Sequence, residues 1–263
     1  MRFFDSHAHY DDHRFEEEFA GGTAGAIQMV HAAGVERIMN VGSSLASSER
    51  SIRLAETYDF VWAAVGIHPC DAQEISPTEL DRALSAVESL AAHEKVRAIG
   101  EIGYDYHFDG TDPERQRYFF DAQLTIAERL GLPVIIHSRD AAGDTFDLLA
   151  RHPNARGILH SYSGSAETAR QLSEKGWYVS FSGPVTYKNA HKVKESAAVV
   201  PHDRLLIETD SPYLPPVPHR GELNTSANLP FICAALAEIR SQSPEEVAEM
   251  TYQNACRVFS LDL

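Results

Sequence analysis

Cysteine is scarce in this chain. Cys70, Cys233 and Cys256 are the only three among 263 residues, and no two of them form a CxxC pair. That excludes a disulfide framework and a thiolate zinc site, and it leads to an expectation of free thiols in a reducing, cytoplasmic compartment. Long apolar runs are also missing. No stretch approaches the roughly 18 residues that span a bilayer, so a membrane partner is not expected. No leader is expected, because Met1-Arg2 runs straight into the strand-like Phe3-Phe4-Asp5. No Gly/Ser-rich or Pro-rich linker divides it, and residues 1–263 read as one domain. Positive charge is in deficit. Lys and Arg number 23 against 38 Asp and Glu, for a net charge of −15. A protein that coats duplex nucleic acid is normally basic, so a whole-surface polyanion binder is excluded. A local site remains open, because bound cations reverse the potential around them.

What is present is an ordinary globular composition, 43% hydrophobic and 23% charged. Apolar strand candidates begin near Phe3, Arg37, Val61, Val96, Pro133, Arg156, Trp177 and Leu205. Successive starts lie 34, 24, 35, 37, 23, 21 and 28 residues apart, room for a strand, a helix and two loops each time. The connecting segments carry helical periodicity. Phe119, Ala122, Ile126 and Leu130 recur at three- and four-residue steps in a segment closed by Gly131. Ser243-Pro244-Glu245-Glu246 opens the last helix with a cap, a preset first turn and acids at the positive dipole end. Eight alternations predict an α/β fold, a single (β/α)8 TIM barrel of about 250 residues. A doubly wound open sheet is the structural alternative.

Five of the apolar runs end in a residue that binds divalent metal. They are Phe3-Phe4-Asp5-Ser6-His7-Ala8-His9, Val96-Arg97-Ala98-Ile99-Gly100-Glu101, Pro133-Val134-Ile135-Ile136-His137, Gly157-Ile158-Leu159-His160 and Leu205-Leu206-Ile207-Glu208-Thr209-Asp210. A parallel barrel gathers its strand C-termini on one face, where active sites of that fold sit. His7 and His9 are two apart on a strand and share a face. About 0.6 such pairs would arise by chance in this composition, so position at a strand end carries the argument. Glu101 interrupts an apolar strand, which is costly unless it is paired or bound to metal. Its two oxygens allow it to bridge two ions; the alternative is a buried Glu paired with an Arg. Either His137 or His160 alone reads equally well as a core histidine, but both stand at equivalent strand ends. Asp210 can hold metal and accept a proton from water. Glu208 reads as a structural ion pair. The pattern groups His7, His9, Glu101 and Asp210 around one ion, and Glu101, His137 and His160 around the other. Imidazole mixed with carboxylate suits Zn, Mn or Fe more than Mg.

These residues also carry a resemblance. His7-Ala8-His9, Gly66-Ile67-His68-Pro69, Gly100-Glu101-Ile102-Gly103-Tyr104-Asp105, His137-Ser138-Arg139, His160-Ser161-Tyr162-Ser163-Gly164 and Glu208-Thr209-Asp210-Ser211-Pro212 resemble the TatD family of metal-dependent deoxyribonucleases, which belongs to the amidohydrolase-like barrels. The likeness runs from Phe3 to about Phe259. It implies a hydrolase with two divalent ions (Mg, Mn or Zn), often a 3′-to-5′ exonuclease on single-stranded DNA. It implies His7, His9, Glu101, His137, His160 and Asp210 as metal ligands. His68 and Arg220 match positions able to assist at phosphate. Asp105 and Arg139 match substrate-positioning residues, with a structural salt bridge as the alternative. The fourth strand offers Glu101 and no Lys, unlike the barrels that bridge their metals with a carboxylated lysine. Arg220-Gly221 is followed by Asn224-Thr225-Ser226 where the family usually has Asn-Glu-Pro. Because barrel loops set substrate choice, that departure is expected to bear on substrate preference.

The expected mechanism is in-line attack of water on a phosphodiester, with Asp210 accepting the proton. Tyr104, Tyr162 and Tyr213 are candidate stacking surfaces for a base. Lys188, His191, Lys192 and Lys194 form the only dense basic run, to be read as a DNA contact or a solvated helix face. Two other functions stay open on the same metals: hydrolysis of a small ester, amide or lactone, and deacylation of an aminoacyl-tRNA. A non-catalytic binding protein would be expected to lose Asp210 first. No heptad or apolar surface stripe stands out, so a monomer is expected.

Overall fold

The computed structural model describes all 263 residues. Its strands are β1 (Phe3–Ala8), β2 (Val35–Val41), β3 (Val61–Val65), β4 (Val96–Asp105), β5 (Val134–Arg139), β6 (Gly157–Leu159), β7 (Tyr178–Phe181) and β8 (Leu205–Ile207). They form one eight-stranded sheet whose spatial order is the chain order. The pairs β1–β2, β3–β4, β4–β5, β5–β6 and β7–β8 are parallel. A parallel bridge between Ala8 and Ser211 returns the chain beyond β8 to β1. Parallel neighbours need a crossover, and here helices supply it. The fold is a (β/α)8 barrel, and every strand starts within two residues of its expected position. β1 is buried along its whole length, as a strand covered on both faces must be.

The helices are α1 (His13–Glu18), α2 (Gly22–Ala32), α3 (Leu45–Thr57), α4 (Pro69–Ala72), α5 (Leu80–Ala91), α6 (Pro113–Leu130), α7 (Ala142–Leu149), α8 (Ala166–Glu174), α9 (His191–Val199), α10 (Leu229–Arg240) and α11 (Pro244–Val258). The punctuation residues act as their chemistry dictates. Gly131 closes α6 with φ 67°, a left-handed cap that costs a glycine little. Ser243 and Glu246 form a reciprocal capping box at the start of α11. No helix is long and apolar enough to cross a membrane.

The chain divides into two compact units. The first comprises Met1–Asn40 and His160–Leu263. Its core packs β1 against α11, with the Phe4 ring 5.6 Å from Phe259 and 6.2 Å from Tyr252. Phe4 is almost fully buried, so Phe4→Ala should cost about 3–5 kcal/mol. The second unit comprises Val41–Leu159. There α6 covers β4, with Phe119 and Phe120 buried and Tyr104 edge-on to Phe120 at 5.2 Å. Gly103 has φ 141°, and a Cβ there would collide with the His137 carbonyl. Only glycine lets β4 lie this close to β5 at the strand end that bears His137.

Candidate metal centre

In the first unit, four predicted residues meet. His7 ends β1 and His9 follows it, with their Nε2 atoms 2.9 Å apart. Asp210, just beyond β8, places Oδ1 3.6 Å from His7 Nε2 and 3.5 Å from His9 Nε2. The backbone holds this register: Asp210 N–H donates to His7 O at 2.9 Å, and His9 N–H donates to Ser211 O at 2.7 Å. His160 stacks on His7, ring centres 4.0 Å apart. Donor atoms of His7, His160 and Asp210 lie within 4.8 Å of one another.

In the second unit, Glu101 of β4 and His137 of β5 meet, Oε1 to Nδ1, at 2.9 Å. His68 adds Nε2 at 3.6 Å from the same Glu101 oxygen. Its Nδ1 accepts the Cys70 N–H at 3.1 Å, so His68 also caps α4. The other His137 nitrogen, Nε2, lies 3.0 Å from Asp105 Oδ2.

Burial opposes the charge of Asp210. A hydrogen bond from His9 and the nearby His7 and His160 outweigh it and hold the carboxyl below its ordinary range. Asp105 is likewise opposed by burial and carried below that range by its His137 hydrogen bond. Both carboxyls are therefore ionised at neutral pH.

The donor set fits divalent metal. A neutral imidazole carries one N–H, yet His137 faces a carboxylate from each of its nitrogens. A divalent cation held by His137 and Glu101 would answer that arrangement. In the first unit, two imidazole nitrogens converge on one ionised carboxylate. Nearby, Glu208 is fully buried, and its Oε2 has no hydrogen-bond partner. Such an atom is costly in a dry interior, and a nearby cation would offset that cost.

A supporting layer was not legible in the sequence. Glu208 Oε1 approaches His160 Nδ1 at 3.2 Å and accepts the Ser161 N–H at 2.8 Å. The expected structural ion pair is thus a clamp on a candidate ligand. Asp5 is fully buried beneath His7 and accepts from Ser226 Oγ at 2.6 Å, from Thr209 Oγ1, and from the N–H groups of Thr209 and His7. Burial pushes its carboxyl up to about 7 against the pull of these donors. Gln116 and Gln123, both fully buried on α6, act as false strand neighbours. Gln116 bonds the N–H and C=O of Asp105, and Gln123 those of Ile67, each through both ends of its amide. Two glutamines seven apart on the apolar face of one helix were the available signal.

Asp105 bonds His137, while Arg139 lies over the Phe108 ring at 5.6 Å. Arg220 is exposed and stacks on Tyr187 at 4.3 Å. Tyr104 and Tyr162 are buried, the latter donating its hydroxyl to Ser165 O, and neither presents a ring face to solvent. Lys188 and Lys192 are exposed beside and on α9. Asn224 and Ser226 are fully buried. Asn224 Nδ2 donates to the carbonyls of Thr209 and Tyr213, and Ser226 donates to Asp5, so the loop braces the segment bearing Asp210.

Against known families, the model described as TatD related DNase matches residues 4–260. The chain belongs to the TatD family. This TatD-family chain is 41% identical to an uncharacterized metal-dependent hydrolase of Bacillus subtilis, YabD, over 98% of the chain and 99% of that protein. It is 37% identical to an uncharacterized metal-dependent hydrolase of Mycobacterium tuberculosis, TatD, over 98% of the chain and 97% of that protein. Among solved structures, the TatD homologue YjjV of Escherichia coli superposes with a TM-score of 0.91 at 31% identity, covering 99% of each chain. The protein is a metal-dependent hydrolase of this family.

Proposed function

We propose that the chain hydrolyses phosphodiesters of DNA, removing nucleotides from 3′ ends of single strands. The observation that carries this reading is the convergence of imidazoles on ionised carboxylates in a chain matched by a TatD related DNase model. His7, His9, Glu101, His137, His160 and Asp210 would hold two divalent ions, with Mg, Mn and Zn the ions to test. Bound there, the ions would supply Lewis acidity toward a phosphoryl oxygen and lower the pKa of water toward neutrality. The protein's own residues supply the rest. Asp210 stays ionised and accepts the proton of the attacking water. Glu208 and Asp105 hold His160 and His137 in single orientations, so that neither ring has to reorganise during the reaction. The acidic surface restricts DNA contact to the site itself.

The test is nucleotide release from a labelled single-stranded oligonucleotide, with chelator and with each metal restored, beside Glu101→Ala. Release that requires both metal and Glu101 is expected. A metal-loaded protein that releases nothing, but cleaves simple esters or lactones, would replace DNA with a small-molecule substrate.

A further inference from the structure

The metal ligands explain bond cleavage but not how a single strand is seated. In the first unit, one aromatic side chain is built for that task. Tyr213 is 46% exposed, and its ring centre lies 6.0 Å from that of His9. Its backbone N–H donates to the Asp210 carbonyl at 2.8 Å, so the ring rides on the same turn as the proton acceptor. Asn224 Nδ2 fixes the Tyr213 carbonyl from below at 2.6 Å.

The side chain is held as firmly as the backbone. Asp12 Oδ2 accepts the Tyr213 hydroxyl at 3.0 Å. Both Asp12 oxygens also accept from the Arg14 guanidinium, at 3.0 and 2.9 Å. Arg14 in turn lies over the Tyr213 ring, with Cζ 4.2 Å from the centroid. One face of the ring is thus backed by a cation, while much of the side chain stays open to solvent. An exposed tyrosine of no function would have rotamer freedom; this one is locked before any ligand arrives, which lowers the entropic cost of stacking.

We propose that Tyr213, backed by Arg14 and oriented by Asp12, is the stacking platform for the terminal nucleobase of the strand being cleaved. This rests on the phosphodiesterase reading above and specifies its substrate contact. The position beside His9 puts a stacked base within one nucleotide of the metal ligands. Stacking recognises any base, because every base has a π-face, so the site is tolerant of sequence and demands a base at the end. Among the three tyrosines considered from the sequence, Tyr213 alone is exposed.

The experiment uses an oligonucleotide with 2-aminopurine at its 3′ end, whose fluorescence is quenched on stacking. Binding is read in chelator, without turnover, and cleavage is read separately with metal. Wild type should quench the probe, Tyr213→Ala should lose the quench, and Tyr213→Trp should restore it. In cleavage, Tyr213→Ala should raise KM by about 5- to 150-fold, with the effect on KM and not on kcat. An abasic 3′ end should erase the difference between the wild type and Tyr213→Ala. Cleavage by the wild type with an unchanged quench and KM in Tyr213→Ala would overturn the platform and leave the nuclease standing. Absence of cleavage by the metal-loaded wild type would instead overturn the parent reading, and the platform with it.

Discussion

Glu208 Oε1 lies 3.2 Å from Nδ1 of His160, at the end of a carboxylate that is wholly buried. A carboxylate accepting at that distance favours the tautomer that carries its proton on Nδ1, which leaves Nε2 as the nitrogen able to ligate a metal. A metal ligand is prepared this way by a partner that need not touch the metal.

Replacing Glu208 with Gln keeps the shape and removes the charge. Metal affinity should fall about 10- to 100-fold, the usual effect of losing such a partner. A chelator-competition titration at neutral pH measures it. Affinity equal to wild type would make Glu208 a packing residue only.

Asp210→Asn tests the proton acceptor. The amide keeps one oxygen near His7 and His9 and loses basicity. Turnover should drop by about 10²–10⁴-fold while bound metal, measured by elemental analysis, is retained. Loss of metal in parallel with activity would reduce Asp210 to a ligand.

Asp5→Ala addresses the buried layer. The substitution removes the acceptor of the Ser226 and Thr209 hydroxyl protons and of the His7 and Thr209 backbone N–H groups in a dry interior. A buried donor left without its acceptor costs about 1–3 kcal/mol, so two such losses give about 2–6 kcal/mol. Thermal unfolding should show Tm lower by about 4–24 °C. A smaller shift would mean that the Ser226 loop repacks.

Asp12 gives a pH signature. Burial works against its charge, but the hydrogen bonds from Arg14 prevail and bring the carboxyl down to about 2. A folded-state pKa below the unfolded value means that the ionised form favours the fold. The contribution is complete above about pH 4 and disappears as pH falls through about 2. The stability gap between wild type and Asp12→Asn should therefore be constant at pH 5–7 and close in strong acid. Chemical denaturation at a series of pH values measures it; a gap independent of pH would break the Asp12–Arg14 account.

Much of the barrel was legible locally. Each strand is an apolar run, and runs of that kind are compatible with a strand covered on both faces. Gly131 and Ser243 mark helix ends by backbone chemistry that requires no distant partner. The candidate ligands were legible for the same reason, since His7, Glu101, His137, His160 and Asp210 each end or closely follow such a run.

Which side chains meet was decided only by the tertiary structure. Glu208 and His160 are 48 residues apart, Asp105 and His137 are 32 apart, and Ser226 reaches Asp5 across 221. Alternation along a strand fixes the face a side chain takes, but its partner depends on the register between strands and on the helix packed behind them. The same reason hid the inward turn of Asn224 and Ser226, whose polar side chains read as loop surface until the buried carboxylate and carbonyls they satisfy were in place. The sequence by itself determined the repeating unit and the residues that are candidates for metal ligation; long-range pairing in a dry interior determined how those side chains are oriented and charged.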